Sequence, residues 1–243
     1  MKHAIALALI LTSSPALAAD TQSPATDVQG PYDQISASIG ANSIVPGTGM
    51  QLIERNGELV LISQNTRFLI RGPFEILDNW NETEIHSVDD MNYWAQRLKK
   101  SRIPVETMFS LTLGTGPKEL YAFIDPKCPN CKDLINKVVN DDEFMREFSM
   151  RLFVVPLLGE ESSDWARRLA CTAHDDSDLA MQSLIANDLA SLEGPGCDLS
   201  GLKANMIAVQ MLGVNGVPFV IGEDDRVHRG VPRSLHQLRA REH

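Results

Sequence analysis

The stretch FIDPKCPNCKDLINKV, residues 123–138, places two cysteines three positions apart, between an apolar run and a periodic run. The apolar residues before the cysteines predict a buried strand, and the spacing of the apolar residues after them predicts an amphipathic helix. Cys128 therefore stands at the predicted helix start, and Cys131 lies one turn further along. Such a pair is a redox reagent, half of a metal site or a structural disulfide, and the rest of the chain distinguishes these interpretations.

The position at a helix start favours a reactive pair. A thiolate rather than a thiol attacks disulfides, and the unpaired N–H groups and macrodipole of a helix N-terminus favour the thiolate of Cys128. Pro129 suits the first turn, where its missing N–H costs nothing, and Asn130 completes the loop. We expect Cys131 to be more buried, so that Cys128 attacks a disulfide and Cys131 resolves the mixed disulfide.

The remaining cysteines and histidines disfavour a metal site. Structural zinc usually needs four ligands, whereas Cys171 and Cys197 are far apart in the sequence and the histidines have no metal-binding spacing. A purely structural CxxC disulfide is also disfavoured, because so short a loop restricts the unfolded chain very little. We therefore expect a reactive dithiol with no metal and no cofactor.

The first residues, MKHAIALALILTSSPALA (1–18), have the pattern of a secretory signal peptide. An early lysine is followed by an apolar run and a small-residue end, Ala16-Leu17-Ala18. The run is too short to span a bilayer, and no later stretch reaches the roughly 20 apolar residues that a membrane helix needs. We expect export and removal of residues 1–18, and no membrane span in the mature chain. An uncleaved anchor is the alternative interpretation.

The composition of the chain limits the classes of partner that it is expected to bind. The chain has 243 residues and a formal net charge of −10, which disfavours binding to the phosphates of nucleic acid. Its four cysteines are an even number, and disulfides are the default in exported proteins. A chain of this length can bury a core without covalent cross-links, so any disulfide needs a local reason.

Before the CxxC, the sequence predicts a small antiparallel meander over residues 50–77 and then a helix. The turn at Asn56-Gly57 is typical of a hairpin, because both residues tolerate positive φ. Apolar residues in ELVLIS (58–63) fall on both faces of their strand, so the second face is expected to meet a helix, another domain or another copy of the chain. Residues 87–101 predict a helix with Ser87 as its N-cap.

After the CxxC helix, the pattern predicts a strand at 150–156, helices from about 162 to 212, a hairpin at 217–230 and a final helix in 234–243. This is an α/β plan with one inserted helical subdomain. Pro218 opens the apolar run of the hairpin, where proline cannot donate a ladder hydrogen bond. A cis Val217-Pro218 bond is consistent with that position, and an ordinary strand-start proline is the alternative.

Together these residues resemble the thioredoxin-fold disulfide isomerases of the bacterial periplasm, the DsbC and DsbG family. YAFIDPKCPNCKDL (121–134) is similar to the family's strand, active-site loop and helix, and LGVNGVPFVI (212–221) is similar to its cis-proline loop. GELVLISQNTRFLIRGPFEI (57–76) resembles the dimerisation domain, and residues 87–101 resemble the linker helix.

Two further stretches, RRLACTAHD (167–175) and GPGCDLS (194–200), are similar to the stretches that carry a second, structural disulfide in that family. The resemblance therefore implies a disulfide between Cys171 and Cys197. It also implies an α/β, thioredoxin-like fold with an inserted helical subdomain, preceded by a small α+β dimerisation domain and a linker helix. The implied domains are a signal peptide (1–18), a dimerisation domain (19–80), a linker helix (81–104) and a catalytic domain (105–243) with its helical insertion at 162–212.

The resemblance also implies roles and partners. Cys128 is the nucleophile and Cys131 the resolving thiol, and the residues expected to bind substrate are Pro129, Asn130, Val217 and Pro218. The protein is expected to act in the periplasm as a homodimeric thiol:disulfide isomerase or oxidoreductase, which reduces or isomerises non-native disulfides of misfolded or partly oxidised exported proteins. A membrane thiol reductase similar to DsbD is expected to keep its CxxC reduced.

Two features depart from the isomerases. The segment before the meander is shorter than in that family, and Val217 stands where the isomerases usually have threonine. Valine at that position resembles the oxidase branch, DsbA. The sequence therefore leaves open an isomerase or reductase, a thiol oxidase that uses the same cysteines, and a chaperone or assembly factor whose thiols are secondary.

Overall fold

The computed structural model describes residues 41–55, 57–190, 192, 194 and 196–241 of the chain. The predicted signal peptide, the start of the predicted dimerisation domain and Asn56 lie outside these residues.

The first sheet is an antiparallel meander of four strands in sequence order. Its strands are β1 (Asn42–Val45), β2 (Met50–Arg55), β3 (Glu58–Ser63) and β4 (Leu69–Ile70). Gly57 has a φ of +78°, as the tight turn between β2 and β3 requires. The sequence predicted this hairpin, but β1 was not predicted. Two short strands, β5 (Leu77–Asp78) and β6 (Thr83–Glu84), form a separate ribbon.

Helix α1 (Val88–Trp94) covers one face of the meander. The Ser87 side chain accepts a hydrogen bond from the N–H of Asp90 at 3.0 Å, which is the predicted N-cap. Val88 and Met91 of the helix pack against Leu52 of β2 in a small buried cluster.

The prediction that this helix continues to residue 101 is wrong, because α1 ends at Trp94. The next residues lie extended along a hairpin of the second sheet. The N–H of Val227 donates to the carbonyl of Gln96 at 2.8 Å, and the N–H of Leu98 donates to the carbonyl of Asp225 at 2.9 Å. These backbone bonds satisfy the groups that further helical turns would have paired, so tertiary contacts override the local helix propensity.

The second sheet has five strands in the order β11-β10-β8-β9-β7. These strands are β7 (Ser110–Leu113), β8 (Lys118–Ile124), β9 (Phe148–Val154), β10 (Phe219–Ile221) and β11 (Val227–Arg229). The central pair β8 and β9 is parallel, and the other pairs are antiparallel. Helices α2 (Pro129–Val139) and α3 (Asp142–Glu147) connect the two parallel strands.

The centre of the core lies on this second sheet. Both faces of β8 and β9 are buried, as expected for a parallel pair with helical crossovers. Phe123, Phe153 and Phe219 pack with their ring centroids 5.2 to 6.0 Å apart. The chain that leads to Cys128 therefore leaves a strand whose last five residues are all buried.

The helical stretch predicted over residues 162–212 is divided into three helices: α4 (Glu160–Asp175), α5 (Ser177–Ala186) and α6 (Ser200–Met211). Asn187, with a φ of +58°, ends α5 in the left-handed conformation. A disulfide between Cys171 of α4 and Cys197 closes this region. Among the described residues, no helix has the length and apolar character to cross a membrane.

The predicted C-terminal helix is wrong over most of its length, since only a short 3-10 turn, Leu235–Leu238, forms there. The backbone at the end of this turn and just after it bonds to the turn between β10 and β11 instead. The N–H of Glu223 donates to the carbonyl of Leu238 at 2.8 Å, and the N–H of Ala240 donates to the Glu223 carboxylate at 2.9 Å. The predicted α/β fold class, thioredoxin-like with inserted helices, is otherwise confirmed by the order of its elements.

Candidate active site

The two CxxC cysteines lie where strand β8 gives way to helix α2. Cys128 is the N-cap of α2, and its sulfur accepts a hydrogen bond from the N–H of Cys131 at 3.4 Å. Cys128 is 7% exposed, while Pro129 and Asn130 beside it are exposed. The helix start thus places the Cys128 sulfur beside exposed residues and points the N–H of Cys131 at it.

Cys131 has a different environment one turn into the helix. It is 1% exposed, and burial raises the pKa of its thiol well above the usual range. Two neighbours have opposite effects on the Cys131 thiolate. The backbone N–H of Asp125 donates to the Cys131 sulfur at 3.5 Å and favours the thiolate, whereas Cys128 disfavours the thiolate. The balance keeps Cys131 a thiol at neutral pH.

The predicted substrate-binding loop lies against the first cysteine. The Val217-Pro218 bond is cis, and the Cys128 thiol donates to the carbonyl of Val217 at 3.6 Å. Pro218 is buried and Val217 is half-buried, and the N–H of Gly230 donates to the carbonyl of Pro218 at 2.8 Å. The structure thus brings the CxxC and this loop together, while the roles assigned to their residues stay predictions.

The predicted disulfide pair is separate from this site. The sulfurs of Cys171 and Cys197 are bonded to each other, and Cys128 and Cys131 are both free thiols. Cys171 belongs to α4, and Cys197 precedes α6, so the bond joins α4 to the segment before α6.

Two charged residues beside the cysteines were missed from the sequence. The Lys127 side chain contacts the helical insertion: its Nζ lies 2.5 Å from the Glu161 carboxylate and 4.1 Å from the centre of the Trp165 ring. Asp125 is buried at 1% exposure immediately after β8. Its position directly after a buried strand, three residues before a cysteine, is the one sequence feature that could have drawn attention to it.

The arrangement is suited to exchange between a dithiol and a disulfide. A sulfur at a helix N-terminus beside exposed residues can attack a disulfide, and a more deeply buried sulfur one turn away can displace the product. Among the described residues, no cluster of three or more His, Cys, Asp or Glu is suited to hold a metal ion.

Comparisons with known proteins found only distant similarities. No family model matches the chain, and no curated protein matches its sequence. A disulfide interchange protein from Neisseria gonorrhoeae is similar at 20% identity over 55% of this chain and 91% of its own, with a TM-score of 0.46.

Two further solved structures are similar to a comparable degree. ScsC from Proteus mirabilis, in a compact conformation, is 17% identical over 58% of this chain and 74% of its own, with a TM-score of 0.48. DsbG from Helicobacter pylori is 16% identical over 73% of this chain and 89% of its own, with a TM-score of 0.37. The fold assignment therefore rests on the strand order and helix connections of this chain.

Proposed function

We propose that this protein is a thiol:disulfide interchange enzyme that reduces or isomerises non-native disulfides of exported proteins. The observation that supports this most directly is the unequal CxxC pair. Cys128 stands at the start of α2 next to the Val217 carbonyl, and Cys131 is sealed beneath it as a thiol. Cys128 is placed to attack a client disulfide, and Cys131 is placed to react later with the mixed disulfide.

In the proposed reaction, the Cys128 thiolate attacks one sulfur of a client disulfide. A bond forms between Cys128 and that sulfur, and the other client sulfur leaves as a thiolate. Cys131 can then give its proton to water and attack Cys128, which forms the enzyme disulfide and releases a client reduced by two electrons. Alternatively, a second client thiolate attacks the mixed disulfide, and the client is isomerised without net transfer of electrons.

A homodimer is part of this proposal, and the first sheet supports it. Strand β4 lies at an edge of the meander, and its residues Leu69 and Ile70 are exposed, as is Phe68 before them. An exposed apolar strand edge is a template for pairing with another chain. We propose that residues 19–80 dimerise through this edge and that the paired subunits hold unfolded clients, which is also a chaperone function.

The location and the electron source follow from the resemblance to DsbC and DsbG. Turnover as a reductase requires that electrons return to the CxxC after each cycle. We propose that residues 1–18 direct export to the periplasm, and that a membrane thiol reductase similar to DsbD supplies those electrons. The domain limits and the substrate contacts of Pro129, Asn130, Val217 and Pro218 belong to the same proposal.

A thiol oxidase is the second candidate, and Val217 is the residue that favours it. Valine stands there in the position next to Pro218, as in the DsbA branch, and its carbonyl contacts Cys128. An oxidase would accept electrons from client thiols through the same two cysteines, and it would be isolated with Cys128 and Cys131 bonded.

Scrambled ribonuclease separates these candidates. We expect the wild-type protein, added reduced, to restore ribonuclease activity, and a Val217→Thr variant to do so at a comparable rate. Repair that appears only with threonine would show that the wild-type chain is an oxidase. The chaperone would be favoured by two results together: the wild-type protein shows no repair activity, and a Cys128→Ser/Cys131→Ser variant still suppresses aggregation of unfolded client.

The dimer has its own test at the exposed edge. Ile70→Lys places a charge on β4, where the native side chain is 49% exposed, so we expect the fold to persist and the dimer to dissociate. Leu179→Lys is the matched control, since that leucine is 46% exposed on α5. Sedimentation that finds wild type and both variants in one oligomeric state would contradict the proposed interface.

A further inference from the structure

Asp125 is a buried carboxylate that has no role in the disulfide exchange proposed for Cys128 and Cys131. It directly follows β8 and is 1% exposed. An ionised carboxylate in such a place is costly unless hydrogen bonds or a cation compensate it. None of the ion pairs found in the described part of the chain includes Asp125.

Backbone N–H groups compensate the charge instead. Oδ1 of Asp125 accepts from the N–H of Lys127 at 2.7 Å. Oδ2 accepts from the N–H of Leu157 at 2.7 Å and from that of Leu158 at 2.9 Å. Both carboxylate oxygens are thus engaged. One side chain joins the loop before Cys128 to the segment that follows β9.

The backbone of the same residue contacts both cysteines. The carbonyl of Asp125 accepts from the N–H of Cys128 at 3.1 Å, and its N–H donates to the sulfur of Cys131 at 3.5 Å. The position of each sulfur relative to the helix start therefore depends on how Asp125 is held.

The charge of Asp125 also acts on the second sulfur. Burial raises the pKa of Cys131 most. Cys128 and the charge of Asp125 raise that pKa further, because both disfavour the Cys131 thiolate. A fixed negative charge beside a buried thiol makes removal of its proton harder. The Asp125 carboxylate therefore opposes the loss of that proton in the resolving step, whereas the Asp125 backbone N–H, which any residue but proline would supply, favours it.

We propose that Asp125 is a positioning residue that holds the CxxC loop in place and delays the attack of Cys131 on the mixed disulfide. This inference rests on the proposed function. A long-lived mixed disulfide gives a second client thiol time to attack, so Asp125 biases the enzyme towards isomerisation and away from simple reduction. The substrate class this favours is a client with several cysteines, in which another thiol lies close to the bond under attack.

Asp125→Asn removes the charge and keeps the shape and one carbonyl acceptor. In a Cys128→Ala background, Cys131 is the only free thiol. There we expect Asp125→Asn to speed alkylation of Cys131 by iodoacetamide at pH 7.5 by about twofold or more, because a neighbouring negative charge disfavours the thiolate. Asp125→Glu, which restores the charge, should return the rate towards that of the parent.

Asp133→Asn is the matched control, since it removes the same charge from an exposed position on α2. It should leave the Cys131 rate unchanged. Loss of structure would also expose the thiol, so the rate of each variant is compared with that of the urea-unfolded chain, and thermal melting is measured beside it. Asp125→Ser serves as a second neutral variant should Asp125→Asn fail to fold.

Equal Cys131 rates in folded parent and Asp125→Asn would overturn the proposal. So would failure of both neutral variants to fold, because that result would assign Asp125 to stability alone. The alkylation assay needs no client, so it stands even if scrambled ribonuclease is not repaired. With a working client assay, Asp125→Asn should shorten the life of the mixed disulfide and raise the ratio of reduction to isomerisation, and an unchanged ratio would contradict the bias.

Discussion

The two cysteine pairs of this chain have the same side chains but differ in sequence separation, in bonding and in their surroundings. Cys128 and Cys131 are neighbours on one helix and are free thiols, whereas Cys171 and Cys197 are separated by 26 residues and form a disulfide. The first pair is held by backbone N–H groups and the loop of Asp125, and the second joins two parts of the helical insertion. Sequence separation and local backbone, more than the sulfur chemistry, divide the pairs into a proposed reagent and a proposed structural link.

Replacing Cys128, the proposed nucleophile, is expected to have the largest effect and so tests the contrast between the two cysteine pairs most directly. We expect Cys128→Ser to reduce the rate of disulfide exchange by at least about 10³-fold, because a serine hydroxyl forms no mixed disulfide and loss of a nucleophile removes the covalent route. The measurement is insulin reduction with excess dithiothreitol. The fold should persist, since serine is close in size to cysteine.

The control is the double variant Cys171→Ser/Cys197→Ser, which should retain most of the exchange rate at 25 °C. If the two variants lost the same fraction of activity, the contrast between the pairs would not hold.

The double variant has its own effect, which is on stability. The native disulfide closes a loop of 26 residues, which in the chain-entropy model is worth roughly 3.5 kcal/mol. We expect Tm to fall on the order of 10 °C relative to the wild-type protein. Thermal melting followed by circular dichroism measures this. A melting temperature within the error of wild type would show that the bond does not restrict the unfolded chain.

The next contrast lies within the CxxC. Because burial raises the pKa of Cys131, its thiol should react with iodoacetamide much more slowly than that of Cys128 at pH 7, by about tenfold or more. Mass spectrometry of partly alkylated protein gives the two rates. Faster labelling of Cys131 than of Cys128 would reverse the proposed roles.

The raised pKa of Cys131 also predicts the pH dependence of stability. In the unfolded chain, Cys131 ionises near its ordinary value of 9.0, while in the folded chain it keeps its proton to higher pH. The unfolded state therefore binds fewer protons than the folded state above about pH 9, so the reduced protein should lose stability as pH rises there. The oxidised protein has no such thiol. Its melting temperature should consequently fall less between pH 8 and pH 10 than that of the reduced protein.

The sequence predicted the CxxC region well because its local signals agree. A buried strand, Pro129 in the first turn and the periodic apolar residues of α2 all favour one structure, and tertiary contacts reinforce it. The linker helix was predicted too long for the opposite reason. Gln96 and Leu98 have adequate helix propensity, but their backbone groups bond to a hairpin more than a hundred positions later, and no local pattern encodes that partner.

Asp125 illustrates the same limit within the candidate site. Its residue type and position could be read directly, but two of its three donors, Leu157 and Leu158, lie beyond β9. The strand β1 was missed because its four residues contain only two large apolar side chains, and it is defined mainly by pairing with β2. In each case the missing information was a contact between distant parts of the chain.

The smallest expected effect comes from the cation next to the nucleophile. Lys127 directly precedes Cys128, and its side chain is 31% exposed and paired with Glu161. Because its Nζ is engaged by that carboxylate and by the Trp165 ring, we attribute the reactivity of Cys128 to the N–H groups at the start of α2 and not to this charge. We expect Lys127→Met to change the alkylation rate of Cys128 by less than about threefold and the free energy of unfolding by less than about 1 kcal/mol, as is usual for an exposed ion pair. Lys132→Met, on the exposed side of α2, is the control for a change of net charge. A tenfold slower reaction in Lys127→Met alone would place the activation in the lysine, and the contrast between the two cysteine pairs would then rest on a side chain and not on the helix.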